Sequence, residues 1–422
     1  MDADPSNEIE FVLSKELRGL PPDQLTPVQN FVAAMGDLMD LVQNDESAVF
    51  EFEGQQKGFF HAGKKRADHY WHDPKPCVVP GCARKSITAS HTLQRKGPLA
   101  LVAENQHVLT PGIDRRQGCT AIKSAGIGEA STFPGFCGEH EQLFAGFEAT
   151  GQLVKDEDIA LQVFRSICRE VVHKRAHIWE LEHFLKAYDL VLQERWMKFM
   201  QARLGHNVFR RLRTKVQSIR IERGSDIRAS ILKEIETSRV FLGKVERDFL
   251  APSHAEITGG EGGLAHLAIR VAQTLPVCVA GTANFGWRHD GKEEDIRVFV
   301  NVWPTAHETV VSITSESRNE AYLPAYLNVF ADRPLGALTM IETWMVRGTD
   351  QWFIRPSVWN DLPPARQERI LTDLSDTRFN IAATYGVSIF DEMRETMLAS
   401  SDATQFAPEA LEIESRKVAS DR

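Results

Sequence analysis

The sequence contains no apolar run as long as the roughly 18 residues that a membrane-spanning helix needs. Its first residues, MDADPSNEIEF, are acidic and lack the basic and then apolar pattern of a secretory signal peptide. Six cysteines in 422 residues are too few for a disulfide scaffold. We therefore expect a cytoplasmic protein with reduced thiols and no membrane partner.

Two common catalytic signatures are also missing. The glycine-rich stretch GGEGG at residues 259–263 lacks the lysine and the strand-then-helix setting of a phosphate-binding loop. No serine or cysteine stands in a recognisable nucleophile elbow. These absences argue against a nucleotide-binding loop of this type and against a hydrolase of the Ser-His-Asp or Cys-His kind.

The composition is that of a globular protein, with 42% hydrophobic and 25% charged residues, and the length allows two to four domains. We predict a multidomain α+β fold. Its segments are an acidic helical N-terminus (1–56), a zinc-binding module (57–150), a helical bundle or hairpin (151–252), a mixed α+β domain (253–400) and a disordered tail (401–422).

Periodicity supports this division. Residues 27–42 and the stretch from 156 to about 249 repeat their apolar residues at helical spacing, with breaks expected at Gly205 and Gly224. The helical middle is the expected interface for a second copy or another protein partner. Strand-like runs follow between residues 276 and 315, and helix returns in the last hundred residues. Trp352, Phe353 and Trp359 are predicted to be core or interface aromatics.

A net charge of −9 conceals strong segregation of charge. Residues 1–56 carry twelve acidic side chains against two basic ones, whereas residues 195–223 carry nine basic side chains against Glu222. This basic stretch is either a solvated helix face or a nucleic-acid contact surface. The candidate phosphate contacts within it are Arg195, Lys198, Arg210, Arg211, Arg213 and Lys215.

Two close pairs of metal-binding residue types stand 54 residues apart: Cys77 and Cys82 in CVVPGC, and Cys137 and His140 in FCGEH. Thiolate and imidazole are the ligands of structural zinc, which is four-coordinate and tetrahedral. A turn that offers one pair and a helix start that offers the other are typical of a treble-clef zinc site. We predict one structural Zn²⁺ here. The remaining cysteines, which have no paired partner, are predicted to be small core residues: Cys119, Cys168 and Cys278.

This block resembles the zinc-bearing HNH, or His-Me finger, endonucleases over about 70 residues. The resemblance implies that His91, in ASHTLQ, activates water, and that Glu141 beside the last zinc ligand holds a catalytic Mg²⁺ or Mn²⁺. It implies that Asn105 orients the histidine. Two positions depart from the family pattern, because Ser90 stands where an acidic residue is usual and Glu141 where His or Asn is usual.

Three functions are compatible with these features. The first is a metal-dependent HNH-like endonuclease that cuts DNA or RNA, and the second is a non-catalytic zinc protein that binds nucleic acid or a partner. The third is a small-molecule sensor with a structural zinc site. If His91 is not catalytic, it is either a fifth candidate metal ligand or a hydrogen-bonded histidine that braces the zinc block. His107 is either a second catalytic candidate or a structural histidine. The order of motifs along most of the chain is also similar to a bacterial protein family that we associate with phage defence.

Overall fold

The computed structural model describes residues 9–13, 53–114, 119–206, 216–221, 226–289, 292–331, 335–376 and 380–400. The chain divides into two compact units. The first, called here the helical unit, comprises Met1–Tyr70 and Lys174–Leu242, and the second, the sheet unit, comprises Trp71–His173 and Gly243–Arg422. The predicted segments are therefore grouped differently, with the zinc block and the C-terminal segment in one unit.

The described elements include runs of helices and runs of antiparallel strands, and the fold is mixed α+β as predicted. The described α-helices of four or more residues are α1 (Glu53–His72), α2 (Gly138–Glu141), α3 (Ala145–Thr150), α4 (Asp156–Leu204), α5 (Asp226–Val245), α6 (Ala251–Ile257), α7 (Tyr322–Ala331), α8 (Gly336–Arg347), α9 (Pro356–Asn360), α10 (Pro364–Leu374) and α11 (Asp391–Ser400). The strands are β1 (Ile9–Leu13), β2 (Ser90–His91), β3 (His107–Asp114), β4 (Cys119–Gly126), β5 (Thr132–Phe133), β6 (Val216–Ile221), β7 (Leu264–Val271), β8 (Val277–His289), β9 (Lys292–Pro304), β10 (Thr309–Glu316) and β11 (Trp352–Ile354).

The sheet unit is built on a seven-stranded antiparallel sheet in the order β4-β3-β11-β8-β9-β10-β7. Val298, Val300 and Val302 alternate along β9 and are fully buried, as a period of two places them on one face. The same core contains apolar residues of α7, α8 and α10. The strand-like runs read from the sequence are β8, β9 and β10.

The hairpin β3–β4 belongs to this sheet although it lies between the two pairs of predicted zinc ligands. It joins the sheet through β11, where Leu109 is opposite Ile354. Ser375 also donates to the hydroxyl of Thr120 on β4. The predicted zinc-binding module therefore shares its hairpin with the mixed α+β part of the chain.

The helical unit contains α1, the C-terminal part of α4 and most of α5. Helix α4 lacks proline and glycine throughout, which favours its length. The ring of Phe59 on α1 packs 5.1 Å from that of Phe184 on α4, and Arg239 on α5 donates to Glu182 at 2.6 Å. The described helices of this unit are thus joined by both apolar and charged contacts.

The predicted helical stretch is interrupted in two places. Helix α4 ends at Leu204, and Gly205 adopts a φ of 78°, a left-handed conformation that glycine accepts at helix ends. The prediction of helix for Val216–Ile221 is wrong, because this segment forms β6 and pairs antiparallel with β1. Pairing with a strand about 200 residues away overrides the local helical pattern. Gly224, residues 27–42 and residues 401–422 lie outside the described residues.

Burial corrects one cysteine and supports other core predictions. Cys168 and Cys278 are fully buried, but Cys119, at the start of the edge strand β4, is exposed, so its prediction as a core residue is wrong. Trp352, Phe353 and Trp359 are buried as predicted. Within the described ranges, no helix is long and apolar enough to cross a bilayer.

Candidate metal centre

The first two candidate ligands sit on a tight turn. The main-chain N–H of Cys82 donates to the carbonyl of Val79 at 3.1 Å, and Gly81 has a φ of 79°. Few residues other than glycine adopt that conformation, which explains the Pro80-Gly81 pair. The N–H of Cys77 donates to the carbonyl of Arg84 at 2.8 Å. These bonds fix the backbone that carries both thiols.

The other two ligands follow the Phe-Pro-Gly sequence that ends β5. A Cβ atom at Gly135 would lie 2.1 Å from the ring of Phe133, so only glycine fits there without rearrangement. The carbonyl of Gly135 accepts the N–H of Val78 at 2.9 Å, and the N–H of Cys137 points to the sulfur of Cys77 at 3.4 Å. The two ligand segments are therefore joined directly, and α2 begins at once after Cys137.

The four predicted ligands converge. One ligand atom from each of Cys77, Cys82, Cys137 and His140 lies within 4.8 Å of all the others. His140 Nδ1 is 3.3 Å from Cys77 Sγ and 3.4 Å from Cys137 Sγ, and the sulfurs of Cys82 and Cys137 are 4.0 Å apart. Tetrahedral zinc bond lengths require about 3.6 Å between sulfur and nitrogen and about 3.8 Å between sulfurs. The cluster can therefore hold a metal ion such as zinc.

The chemistry of the ligands agrees with a bound cation. Burial raises the pKa of the Cys77 thiol to about 11, so this thiol would be neutral at physiological pH without a nearby positive charge. A bound metal ion deprotonates such a thiol. The N–H of Cys137, which points to that sulfur, is the kind of donor that supports a metal thiolate.

His91 ends β2, which pairs antiparallel with β5 so that His91 is opposite Thr132. Its Nε2 is buried without a hydrogen-bond partner among the described residues. Burial, and then the guanidinium of Arg165, lower the pKa of His91. The imidazole is therefore neutral at physiological pH, and one of its two ring nitrogens carries a lone pair.

Glu141, at the end of α2, shares this environment. Its Oε1 lies 3.7 Å from Nη2 of Arg165, and the Ser90 hydroxyl, which accepts the N–H of Phe136 at 3.2 Å, is near enough to lower the pKa of the Glu141 carboxyl. Its Oε2 is buried and has no hydrogen-bond partner among the described residues. Burial raises the pKa of Glu141, and Arg165 opposes that rise. The charge of one guanidinium, that of Arg165, thus acts on both predicted catalytic side chains, His91 and Glu141.

Arg165 is the residue that sequence reasoning missed. Its side chain is 0% exposed, donates to Glu148 Oε1 at 2.6 Å and lies 3.9 Å above the ring of Phe144. Its Nε and Nη1 make no hydrogen bond with any described residue. A signal was present: Gln162, Arg165 and Arg169 interrupt an otherwise apolar helical run, which indicates polar groups on a buried helix.

A divalent ion at Glu141, which the resemblance implies, does not fit this arrangement. Mg²⁺ needs near-octahedral oxygen coordination and usually keeps several waters. Here one carboxylate oxygen faces a buried guanidinium, and both flanking carboxylates, Glu141 and Glu148, are only about a quarter exposed. The position next to Glu141 is already occupied by a positive charge.

The remaining predicted site residues lie elsewhere. Asn105 is in an exposed turn before β3, where its carbonyl accepts from Nδ1 of the exposed His107 at 2.8 Å. Its orienting role toward His91 stays a prediction. Arg195 and Lys198 are on α4 in the helical unit. The other predicted phosphate contacts lie outside the described residues: Arg210, Arg211, Arg213 and Lys215.

The chain matches no protein-family model, no curated protein and no solved structure. The resemblance to HNH endonucleases therefore stays a prediction, and function is inferred from the residues of this chain.

Proposed function

We propose that this protein is a zinc-bearing, HNH-like hydrolase of nucleic-acid phosphodiester bonds, with His91 as its general base. The observation that carries the proposal is at His91, whose pKa is lowered and whose buried Nε2 has no hydrogen-bond partner among the described residues. A neutral imidazole nitrogen with an unused lone pair is what a general base requires.

We propose that the zinc site holds together a treble-clef fold, in which a turn and a helix start each supply two ligands. The turn at Gly81 offers Cys77 and Cys82, and the start of α2 offers Cys137 and His140. Between them, β2 and β5 pair and place His91 one strand away from the helix that carries Glu141. The resemblance implies that His91 ends the first strand of a hairpin between the ligand pairs; here the partner of β2 is β5, and the hairpin β3–β4 lies between these two strands in the sequence.

The proposed reaction uses groups already present. His91 Nε2 takes a proton from water as the water oxygen bonds to phosphorus and the bond from phosphorus to the leaving oxygen breaks. The leaving oxygen takes a proton from solvent, and His91 then returns its proton to solvent. Arg165, in a site of low dielectric, would stabilise the negative charge that develops on the phosphate oxygens.

The test is cleavage of plasmid DNA, linear DNA and RNA by purified full-length protein. His91→Gln should lower the rate about a hundred- to ten-thousand-fold, because a positioned base typically contributes that much. His107→Gln is the matched control, since this histidine is exposed and lies on the neighbouring hairpin. Cleavage of nothing by the native protein, or equal cleavage by His91→Gln, would show that the assignment is wrong.

A second candidate function is a zinc scaffold that binds nucleic acid or a protein partner without cutting. It is favoured by the complete burial of Arg165, whose ion pairs with Glu148 and Glu141 also stabilise the zinc block. Under this reading His91→Gln would lower thermal stability and leave nucleic-acid affinity unchanged. Zinc content, melting temperature and affinity measured on the same variant therefore separate the two functions.

A further inference from the structure

Arg165 is held between two carboxylates on one side and an aromatic face on the other. Its Nη2 is 2.6 Å from Glu148 Oε1 and 3.7 Å from Glu141 Oε1, and its guanidinium covers the ring of Phe144. Glu141 lies on α2 and Glu148 on α3, so the Arg165 guanidinium is held by two helices besides its own. This guanidinium is a fixed positive charge beside the last residue of α2.

The hydrogen-bonding capacity that the protein leaves unused around Arg165 is mixed. Nε and Nη1 of Arg165 can only donate and an ionised Glu141 can only accept at Oε2, while Nε2 of His91 also lacks a partner among the described residues. A metal ion would satisfy the acceptors but would face the two N–H donors with a like charge. Water, which both donates and accepts, matches the whole set.

We infer that Arg165 takes the place of the divalent ion at this site, so that the native chain binds zinc at its four ligands and no second metal at Glu141. Where the resemblance implies a bound divalent metal ion, this chain has the positively charged side chain of Arg165. In consequence, cleavage would proceed in the absence of Mg²⁺. That consequence rests on the proposed function, whereas the absence of a second metal does not.

The direct test is a Mn²⁺ titration of the zinc-loaded full-length protein, followed by electron paramagnetic resonance. Native protein and Glu141→Gln should give the same weak binding, because Glu141 is already paired. Arg165→Met should bind Mn²⁺ at least tenfold more tightly, since Glu141 and Glu148 then lack their cation. The double variant Arg165→Met/Glu141→Gln should lose that gain.

Arg169→Met is the matched control. Arg169 is one turn further along α4, is also buried, and pairs with its own carboxylate, Glu170, at 3.5 Å. It should not gain the Mn²⁺ site that depends on Glu141. Binding of Mn²⁺ to the native protein that Glu141→Gln weakens tenfold or more would overturn the inference. This comparison needs only the native protein and Glu141→Gln, so it decides the question even if Arg165→Met does not fold.

Cleavage assays keep the two proposals apart. Cleavage that persists in EDTA, at a concentration that leaves zinc bound, supports both. Cleavage that requires Mg²⁺ and is lost in Glu141→Gln overturns the inference and leaves the nuclease standing. If nothing is cut, the proposed function fails, and the Mn²⁺ titration still decides whether Arg165 replaces the ion.

Discussion

Two of the buried arginines in the sheet unit, Arg165 and Arg394, are paired in different ways. Arg394 on α11 makes a two-pronged contact with Glu342 on α8, at 2.7 and 2.6 Å, and Glu342 also accepts the N–H groups of Ile389 and Phe390. Arg165 has one close carboxylate, a second at 3.7 Å, and two donors that no described residue accepts. Both side chains are almost wholly buried, at 3% and 0% exposed.

The difference separates a structural ion pair from a candidate functional one. Donors at hydrogen-bond distance surround both oxygens of Glu342, which fixes α11 against α8 and uses the carboxylate fully. Buried polar atoms that lack partners are rare in folded proteins, and such atoms are concentrated where a ligand or ordered water completes the site. Arg165, Glu141 and His91 each have one or more of them. This contrast makes the surroundings of Arg165, rather than those of Arg394, the candidate for a functional site.

The largest expected effect comes from removing one ligand of the candidate zinc site. Cys137→Ser should lose the metal and lower the free energy of unfolding by more than about 4 kcal/mol, because binding at a structural zinc site contributes directly to folding. Metal analysis and chemical denaturation measure the two losses. Cys119→Ser, at an exposed cysteine, should change stability by less than about 0.5 kcal/mol. Retention of one metal ion by Cys137→Ser would contradict the four-ligand site.

An intermediate effect is expected from breaking the buried ion pair between Arg394 and Glu342. Glu342→Gln should cost about 3–5 kcal/mol of unfolding free energy, since it leaves the buried charge of Arg394 without its counter-charge. The control is Arg369→Gln, which breaks the largely exposed pair with Asp373 and should cost about 1 kcal/mol or less. Equal denaturation midpoints for the two variants would mean that Glu342 and Arg394 contribute no more than a surface pair.

The smallest effect concerns pH. Because the pKa of His91 is lowered in the fold, the unfolded chain binds more protons as pH falls below about 6.5, and the native protein loses stability there. His91→Gln lacks this loss. The unfolding free energy of native protein minus that of the variant should therefore be smaller at pH 5.5 than at pH 7.5. A difference that does not change with pH would show that His91 is not held in its neutral form.

The metal site was predictable because its information is local. Each ligand pair lies within six residues, and the spacing alone indicates which side chains can meet. The strands β8, β9 and β10 were likewise visible in short alternating runs. Both kinds of signal depend on neighbours in the sequence.

The rest depends on contacts between distant residues. Nothing near Leu109 indicates that β3 will pair beside Ile354, and nothing near Ile9–Leu13 indicates its pairing with Val216–Ile221. The role of Arg165 depends on Glu141 and Glu148 meeting it from outside its own helix. Sequence periodicity shows that Arg165 is on a buried helix but not which carboxylates neutralise it.

The hairpin β3–β4 has a consequence for how this protein can be divided. A metal ion bound at the four candidate ligands would close a ring of chain around the hairpin, in the way that a cross-link closes a loop, and the hairpin in turn extends a sheet whose other strands begin about 140 residues later. A fragment of residues 57–150 would keep the ligands but expose the edge of β3 that β11 covers, and an uncovered edge is a template for aggregation. A fragment that begins after residue 150 would leave β11 open in the same way. The smallest autonomous piece is therefore set by strand pairing and not by motif boundaries.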